Sequence, residues 1–135
     1  MLKRLWADHS WTQQLSERLI RIGLGASNPK VVFAAVKQNG YALEYAADEL
    51  KSDREVVLAA VKQNGGALED AADELKSDRE IILAAVKNHY SAIEYADETL
   101  LDDREFVLAA VQLNNDVLYF ADEKLIAELR EEGLL

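Results

Sequence analysis

The sequence predicts an all-α fold: a short α-solenoid of helical-hairpin repeats closed by terminal capping helices. Three observations carry that reading. The chain of 135 residues repeats every 25 residues, in units at 28–52, 53–77, 78–102 and 103–127. An alanine pair recurs at Ala34-Ala35, Ala59-Ala60, Ala84-Ala85 and Ala109-Ala110, and Leu50, Leu75, Leu100 and Leu125 close the units. Within each unit, two apolar stretches of helical spacing flank a turn signal.

Residues 1–27 read as an N-terminal capping helix and linker. Ser10-x-x-Gln13 starts a helix whose Leu15, Leu19, Ile20 and Ile22 cover the first unit, and Gly23 and Gly25 end it. The first helix of each unit begins at a cap. Ser52 with Glu55 and Ser77 with Glu80 form capping-box patterns, and Asp102 with Glu105 repeats them with a carboxylate. In the first unit Asn28 precedes Pro29, a residue suited to the first helical turn. Val56, Val57, Ala60 and Val61 spread around the helix and Leu58 extends toward the far side, so burial on several sides is expected. Lys62 and Lys87 fall near helix C-termini, where positive charge is favourable. Asn39-Gly40 and Asn64-Gly65 are expected to stop the helix, the glycine taking a left-handed cap. Tyr90 replaces that glycine in the third unit, where a positive φ would be costly, so its turn is expected to take another shape.

The second helix covers about ALEDAADEL in the second unit. Leu68, Ala71, Ala72 and Leu75 follow the i, i+3, i+4, i+7 pattern of one apolar stripe, while Glu69, Asp73 and Glu74 point away. So short a helix is not stable alone and must be held by packing. The expected architecture is an inner apolar row and an outer row with an acidic face. Residues 128–135 read as a helix end and tail. Phe120, Leu125, Ile126 and Leu129 continue the last helix, and Glu131 and Glu132 oppose the helix dipole, so the tail is expected to fray. The chain reads as a piece of a longer protein.

Composition narrows the function classes. Half the residues are apolar, 30% are charged, and six glycines with one proline argue against disorder. The absence of cysteine excludes disulfides, thiolate nucleophiles and sulfur-ligated metals. No apolar run approaches the ~18 residues of a transmembrane helix. The start, MLKRLWADHSWTQQL, lacks the continuous apolar stretch and cleavage site of a signal peptide. A soluble chain is expected, cytoplasmic or delivered by a non-classical secretion route. Net charge is −10, and residues 28–127 hold 20 acids against 10 bases. Such a field repels phosphate backbones, so nucleic acid and anionic membrane are not expected partners. Lys3-Arg4 with Leu2, Leu5, Trp6 and Trp11 is the only membrane-like feature, and it reads as helix cover for the core before an interfacial anchor.

Residues 28–127 resemble the bacterial repeat family designated domain of unknown function 4116. The likeness rests on Asp53-Arg54-Glu55, Val57-Leu58-Ala59-Ala60-Val61, Asn64-Gly65 and Ala67-Leu68. The third unit departs at Asn88-His89-Tyr90, and the fourth at Leu113-Asn114-Asn115 and Tyr119-Phe120. The resemblance implies a repeat found in large bacterial proteins, secreted effectors of intracellular bacteria among them. It implies no activity, cofactor or site residue.

The residues themselves offer little catalytic chemistry. His9 lies between Asp8 and Ser10, but neighbours in sequence rarely face one point as a triad must. His89 stands where Asn39 and Asn64 stand and reads as a cap and loop residue. Glu44/Asp48, Glu69/Asp73 and Glu94/Glu98 are equivalent pairs and read as a solvated face, weak divalent-cation binding being the lesser reading. EF-hand, HExxH, Walker and GxGxxG patterns are absent. Arg54, Arg79 and Arg104 recur at helix starts beside acids, a charge-paired pattern more than a phosphate track.

One position varies on this constant frame. Tyr45, Tyr95 and Phe120 occupy it where the second unit has Asp70, nearly opposite the Leu43–Ala46–Leu50 stripe of an α-helix. Two readings stand: contact between neighbouring units, or aromatic anchors of a partner surface flanked by Glu44, Asp48, Glu94 and Glu98. The favoured function is a non-catalytic protein–protein interaction or scaffolding module without cofactor or metal, in a larger bacterial protein or effector. Its partner would be a protein, a second copy of the chain included. The alternative is an accessory or substrate-binding domain of an enzyme, with acid–base candidates near His89.

Overall fold

The computed structural model describes residues 9–135, with side chains from Leu15 onward. The basic, aromatic segment of Leu2, Lys3, Arg4, Leu5 and Trp6 lies outside the described residues. So do Asp8 and the side chains of His9, Ser10, Trp11 and Gln13. All regular structure among the described residues is helical. The α-helices are α1 (His9–Arg21), α2 (Pro29–Gln38), α3 (Asp48–Lys51), α4 (Arg54–Gln63), α5 (Arg79–Asn88), α6 (Glu98–Leu101), α7 (Arg104–Leu113) and α8 (Glu123–Glu131). Between them run 3-10 segments at Gly40–Tyr45, Gly65–Asp70, Asp73–Ser77, Tyr90–Tyr95 and Asn115–Tyr119.

The chain forms a short α-solenoid. α1, α2, α4, α5 and α7 pack side by side in that order, and the 3-10 segments after α2, α4, α5 and α7 stack in a parallel row. One core lies between the rows. On α4 it takes Val56, Val57, Ala60 and Val61, and on the following segment Ala67 and Leu68. Leu58 and Ala59 stay half-buried, so the helix keeps an outer face that its composition did not announce.

The helix starts are capped one residue later than the capping-box pattern places them. Asp53 accepts from Glu55 N at 2.9 Å and Val56 N at 3.2 Å; Asp78 accepts from Glu80 N at 3.0 Å and Ile81 N at 3.2 Å. Asp103 accepts from Phe106 N at 3.1 Å, and Asn28 from Lys30 N at 3.0 Å. A cap residue needs extended backbone. Asp53 has it (φ −81°, ψ 114°), whereas Ser52 (φ −97°, ψ −4°) still belongs to the end of α3.

The second element of the hairpin is not one helix. In the second unit the chain makes a 3-10 turn, extends through Ala71 and Ala72, and turns again at Asp73–Ser77. The reason is tertiary. Ala72 N–H donates to the Lys51 carbonyl of the preceding unit at 2.9 Å, as Ala47 N–H donates to Ala26 and Asp97 N–H to Lys76. A continuous helix would spend that donor internally. The stripe is corrected accordingly: Ala67, Leu68 and Ala71 are buried, while Ala72 and Leu75 are only half-buried.

The turn glycines work by closeness, not by handedness. Positive φ among the described residues occurs only at Gly23, Gly25 and Gly133. At Gly40 and Gly65 a Cβ would run into the carbonyl oxygens of Ala60 and Ala85 in the next unit. Since no left-handed cap exists here, Tyr90 needs none, and the third turn keeps the same 3-10 form as the others.

Both ends are capped. Gly23 (φ +85°) closes α1, with Leu24 N–H donating to the Leu19 carbonyl at 2.8 Å. Ile20 is buried, but Ile22 is 71% exposed and does not join the cover. At the other end Ala127-Glu128 stand where earlier units have Ser52-Asp53 and Ser77-Asp78. Without that break α8 runs on to Glu131 and buries Leu129 completely. Glu132 pairs with Arg104, and Leu134 N–H donates to the Leu129 carbonyl at 2.9 Å beyond Gly133. The expected frayed tail is instead an ordered helix end.

Candidate interaction surface

The row of 3-10 segments places Tyr45, Asp70, Tyr95 and Phe120 at equivalent points on four stacked elements. A 3-10 segment has about three residues per turn, so the position is not the outward pole that an α-helical wheel gives it. Tyr45 is 37% exposed, and the Arg21 guanidinium lies 5.6 Å from its ring centroid. Tyr95 and Phe120 are half-buried against the core. Lys76 Nζ stands 6.0 Å from the Tyr95 ring, and Phe120 packs on the Tyr90 ring at 5.9 Å between centroids. The first reading of the position is what the contacts show: these rings pack between units, and each keeps an exposed edge.

Asp70 interrupts the aromatic row. Burial pushes its carboxyl above the usual range; Lys51 acts against this, and Glu44 and Glu69 add to it. Burial also raises the Tyr95 hydroxyl, with Glu69 and Glu94 contributing. Glu44, Asp48, Glu94 and Glu98 are exposed on the flanks of the row, Asp48 and Glu98 opening α3 and α6, where a helix start favours acids. Tyr41 was not among the sequence candidates, yet its hydroxyl reaches over the next unit: a Cβ on Gly66 would lie 2.6 Å from it. The only sequence signal was the glycine pair at 65–66, unique to the second unit.

The recurrent arginines link successive units. Arg54 Nε pairs with Asp78 Oδ2 at 2.7 Å, and the same guanidinium reaches Glu80. Arg79 pairs with Asp103 at 2.7 Å, and Arg104 with Glu132. Each arginine thus holds the cap residue or helix end that follows it in the stack. The Arg54 guanidinium holds the Asp78 carboxyl below the usual carboxylate range.

His89 sits at the C-terminus of α5, where its backbone N–H donates to the Ala85 carbonyl at 3.0 Å. Its side chain does not cap the following segment, unlike Asn39, Asn64 and Asn114. Among the described residues no group of three or more histidines and carboxylates is arranged to hold a metal ion. No helix among them is long and apolar enough to cross a membrane.

A family model described as "Domain of unknown function (DUF4116)" matches residues 28–76 and 78–126. The chain belongs to this family. Each DUF4116 match spans two 25-residue units, so the family's own module is a pair of hairpins and the chain holds two such pairs. The boundary between matches falls at Ser77, where Asp78 begins the cap of α5. No curated protein and no solved structure matches the chain.

Proposed function

We propose that the chain is a non-catalytic protein–protein interaction or scaffolding module, and that its 3-10 row is the binding surface. The observation that carries this reading is the stacking of equivalent segments into one line. There Tyr45, Tyr95 and Phe120 keep exposed edges among Glu44, Asp48, Glu94 and Glu98. Rings supply apolar contact area at low entropic cost, and acids steer encounter with a complementary surface. The partner is a protein segment with basic residues. The −10 net charge disfavours nucleic acid in the same place.

The test is affinity capture from a bacterial lysate with the wild type and a Tyr45→Ala, Glu44→Lys, Glu94→Lys variant whose helicity is verified by circular dichroism. A polypeptide retained by the wild type and lost by the variant supports the row. Equal retention by both removes this row as the energetic centre.

A further inference from the structure

The α row has an outer face of different chemistry. On α4 the residues left partly or fully exposed are Arg54, Glu55, Leu58, Ala59, Lys62 and Gln63, and Glu55, Leu58, Ala59 and Lys62 among them form one helical stripe from first turn to last. Stacking repeats the stripe, so Phe33, Leu58, Leu83 and Leu108 make a half-exposed apolar line across α2, α4, α5 and α7. Lys37, Lys62 and Lys87 make a parallel line one turn further along. Lys62 and Lys87 are exposed, and their ammonium groups have no ion-pair or hydrogen-bond partner among the described residues. The arginines at the opposite ends of α4, α5 and α7 are all paired. Between α2 and α4 the apolar line opens into a groove of about 510 Å³, lined by Phe33, Leu58 and Ala59, with Lys37, Lys62 and Gln63 toward one end and Glu55 toward the other.

Unpaired cations beside exposed apolar surface, on a chain of net charge −10, are complementary to a partner with the opposite arrangement. The exposed Glu55 of the same groove stands seven residues before Lys62, about 10.5 Å along the helix, and exposed charges more than about 8–10 Å apart are largely screened at physiological salt. The spacing narrows the partner further. Packed helices stand about 8–10 Å apart, and an α-helix rises about 10.5 Å over seven residues. One apolar side chain per heptad therefore falls on successive grooves of the stack.

We propose that this face docks an acidic amphipathic α-helix of a partner protein. The helix lies along the stack, across the α-helices, with one apolar residue per heptad in each groove and its carboxylates toward Lys37, Lys62 and Lys87. This goes beyond the acidic 3-10 row: the module presents a second surface, edged by a line of lysines, and can bridge two partners.

The probe is a synthetic peptide of about four heptads, with leucine once per heptad and glutamate on the flanking positions. A serine-flanked peptide serves as the neutral control. Each is titrated calorimetrically into the full chain at physiological salt. The glutamate peptide binds more tightly than the serine peptide, and a Lys62→Glu, Lys87→Glu variant weakens it by about tenfold or more. Both lysines are exposed and unpaired, so circular dichroism of the variant stays unchanged. Glu44→Lys with Glu94→Lys leaves glutamate-peptide binding in place, which separates this face from the acidic row. No binding of the glutamate peptide at millimolar concentration, or equal binding by the lysine variant, overturns the proposal. Sedimentation showing a dimer that the lysine variant dissociates would assign the face to a second copy and overturn it as well.

Discussion

Gly65 and Asn88 are joined across the boundary between the second and third units. Gly65 N–H donates to Asn88 Oδ1 at 2.5 Å, while Asn88 Nδ2 donates to the Val61 and Lys62 carbonyls at 3.1 and 3.2 Å. One side chain thereby satisfies the end of α4 and the start of the following 3-10 segment. Gly40 and Gln63 repeat the first bond at 2.5 Å one unit earlier. Tyr90 and Leu113 stand at the next pair of equivalent positions, where both partners have changed together.

Gly65→Ala should destabilise the fold by about 1–3 kcal/mol, because its Cβ would overlap the Ala85 carbonyl and force the third unit away. Urea denaturation measures this. Gly23→Ala makes the useful contrast: its surroundings are open, and only the positive φ opposes the methyl, at about 1–2 kcal/mol.

Asn88→Leu removes both roles of the amide. The Gly65 N–H and the last α4 carbonyls lose their partner, and unsatisfied backbone groups of this kind cost about 1–3 kcal/mol. The midpoint in urea should fall, and amide exchange at Gly65 should rise. An unchanged exchange rate at Gly65 would show that the bond is not formed in solution.

Ala60 is fully buried, and its carbonyl abuts Gly40. Ala60→Leu should overpack the contact between α2 and α4 and lower stability by about 1–3 kcal/mol. An unchanged melting temperature would contradict this burial.

Stability should fall in acid, in a way that depends on Arg54. Asp78, Asp97 and Asp103 all have folded-state pKa values below the ordinary range, through Arg54, the Thr99 hydroxyl and the Phe106 amide respectively. For depressed carboxylates the stabilisation is complete above the unfolded value, about 4. It is lost as pH falls through the folded values. Asp70 has the opposite sign: its raised pKa makes ionisation unfavourable to the fold, and acid relieves it. Arg54→Ala should therefore be less stable than the wild type at about pH 7, with the gap closing at about pH 3. Urea midpoints at the two values check this.

The aromatic row should divide in a mutational series. Tyr45→Ala touches an exposed ring and should leave the melting temperature nearly unchanged. Phe120→Ala and Tyr95→Ala remove rings that pack on the core and should lower it more. Equal effects at all three positions would mean that Tyr45 is packed as deeply as the others.

The repeat, the helical class and the family were legible in the residues, because each depends on local patterns stated several times over. Asn28 caps its helix as read, the caps at Asp53, Asp78 and Asp103 fall one residue after the expected Ser52, Ser77 and Asp102, and Val56, Val57, Ala60 and Val61 are buried as their spacing implies. The second half of the hairpin was not legible. Leu68, Ala71, Ala72 and Leu75 have helical spacing, but spacing does not reveal that Ala72 N–H finds the Lys51 carbonyl of another unit. Nor does composition tell a glycine needed for positive φ from one needed for room, since an asparagine–glycine pair suits either use. Gly40 and Gly65 are glycine because the next helix approaches that closely. The partial burial of Tyr95 and Phe120 and the outer line through Leu58 follow from the same cause. The sequence by itself determined what each unit contains and, to within one residue, where its first helix begins. The distance between neighbouring units, known only once they are stacked, decided which backbone donors leave their helix and which side chains remain at the surface.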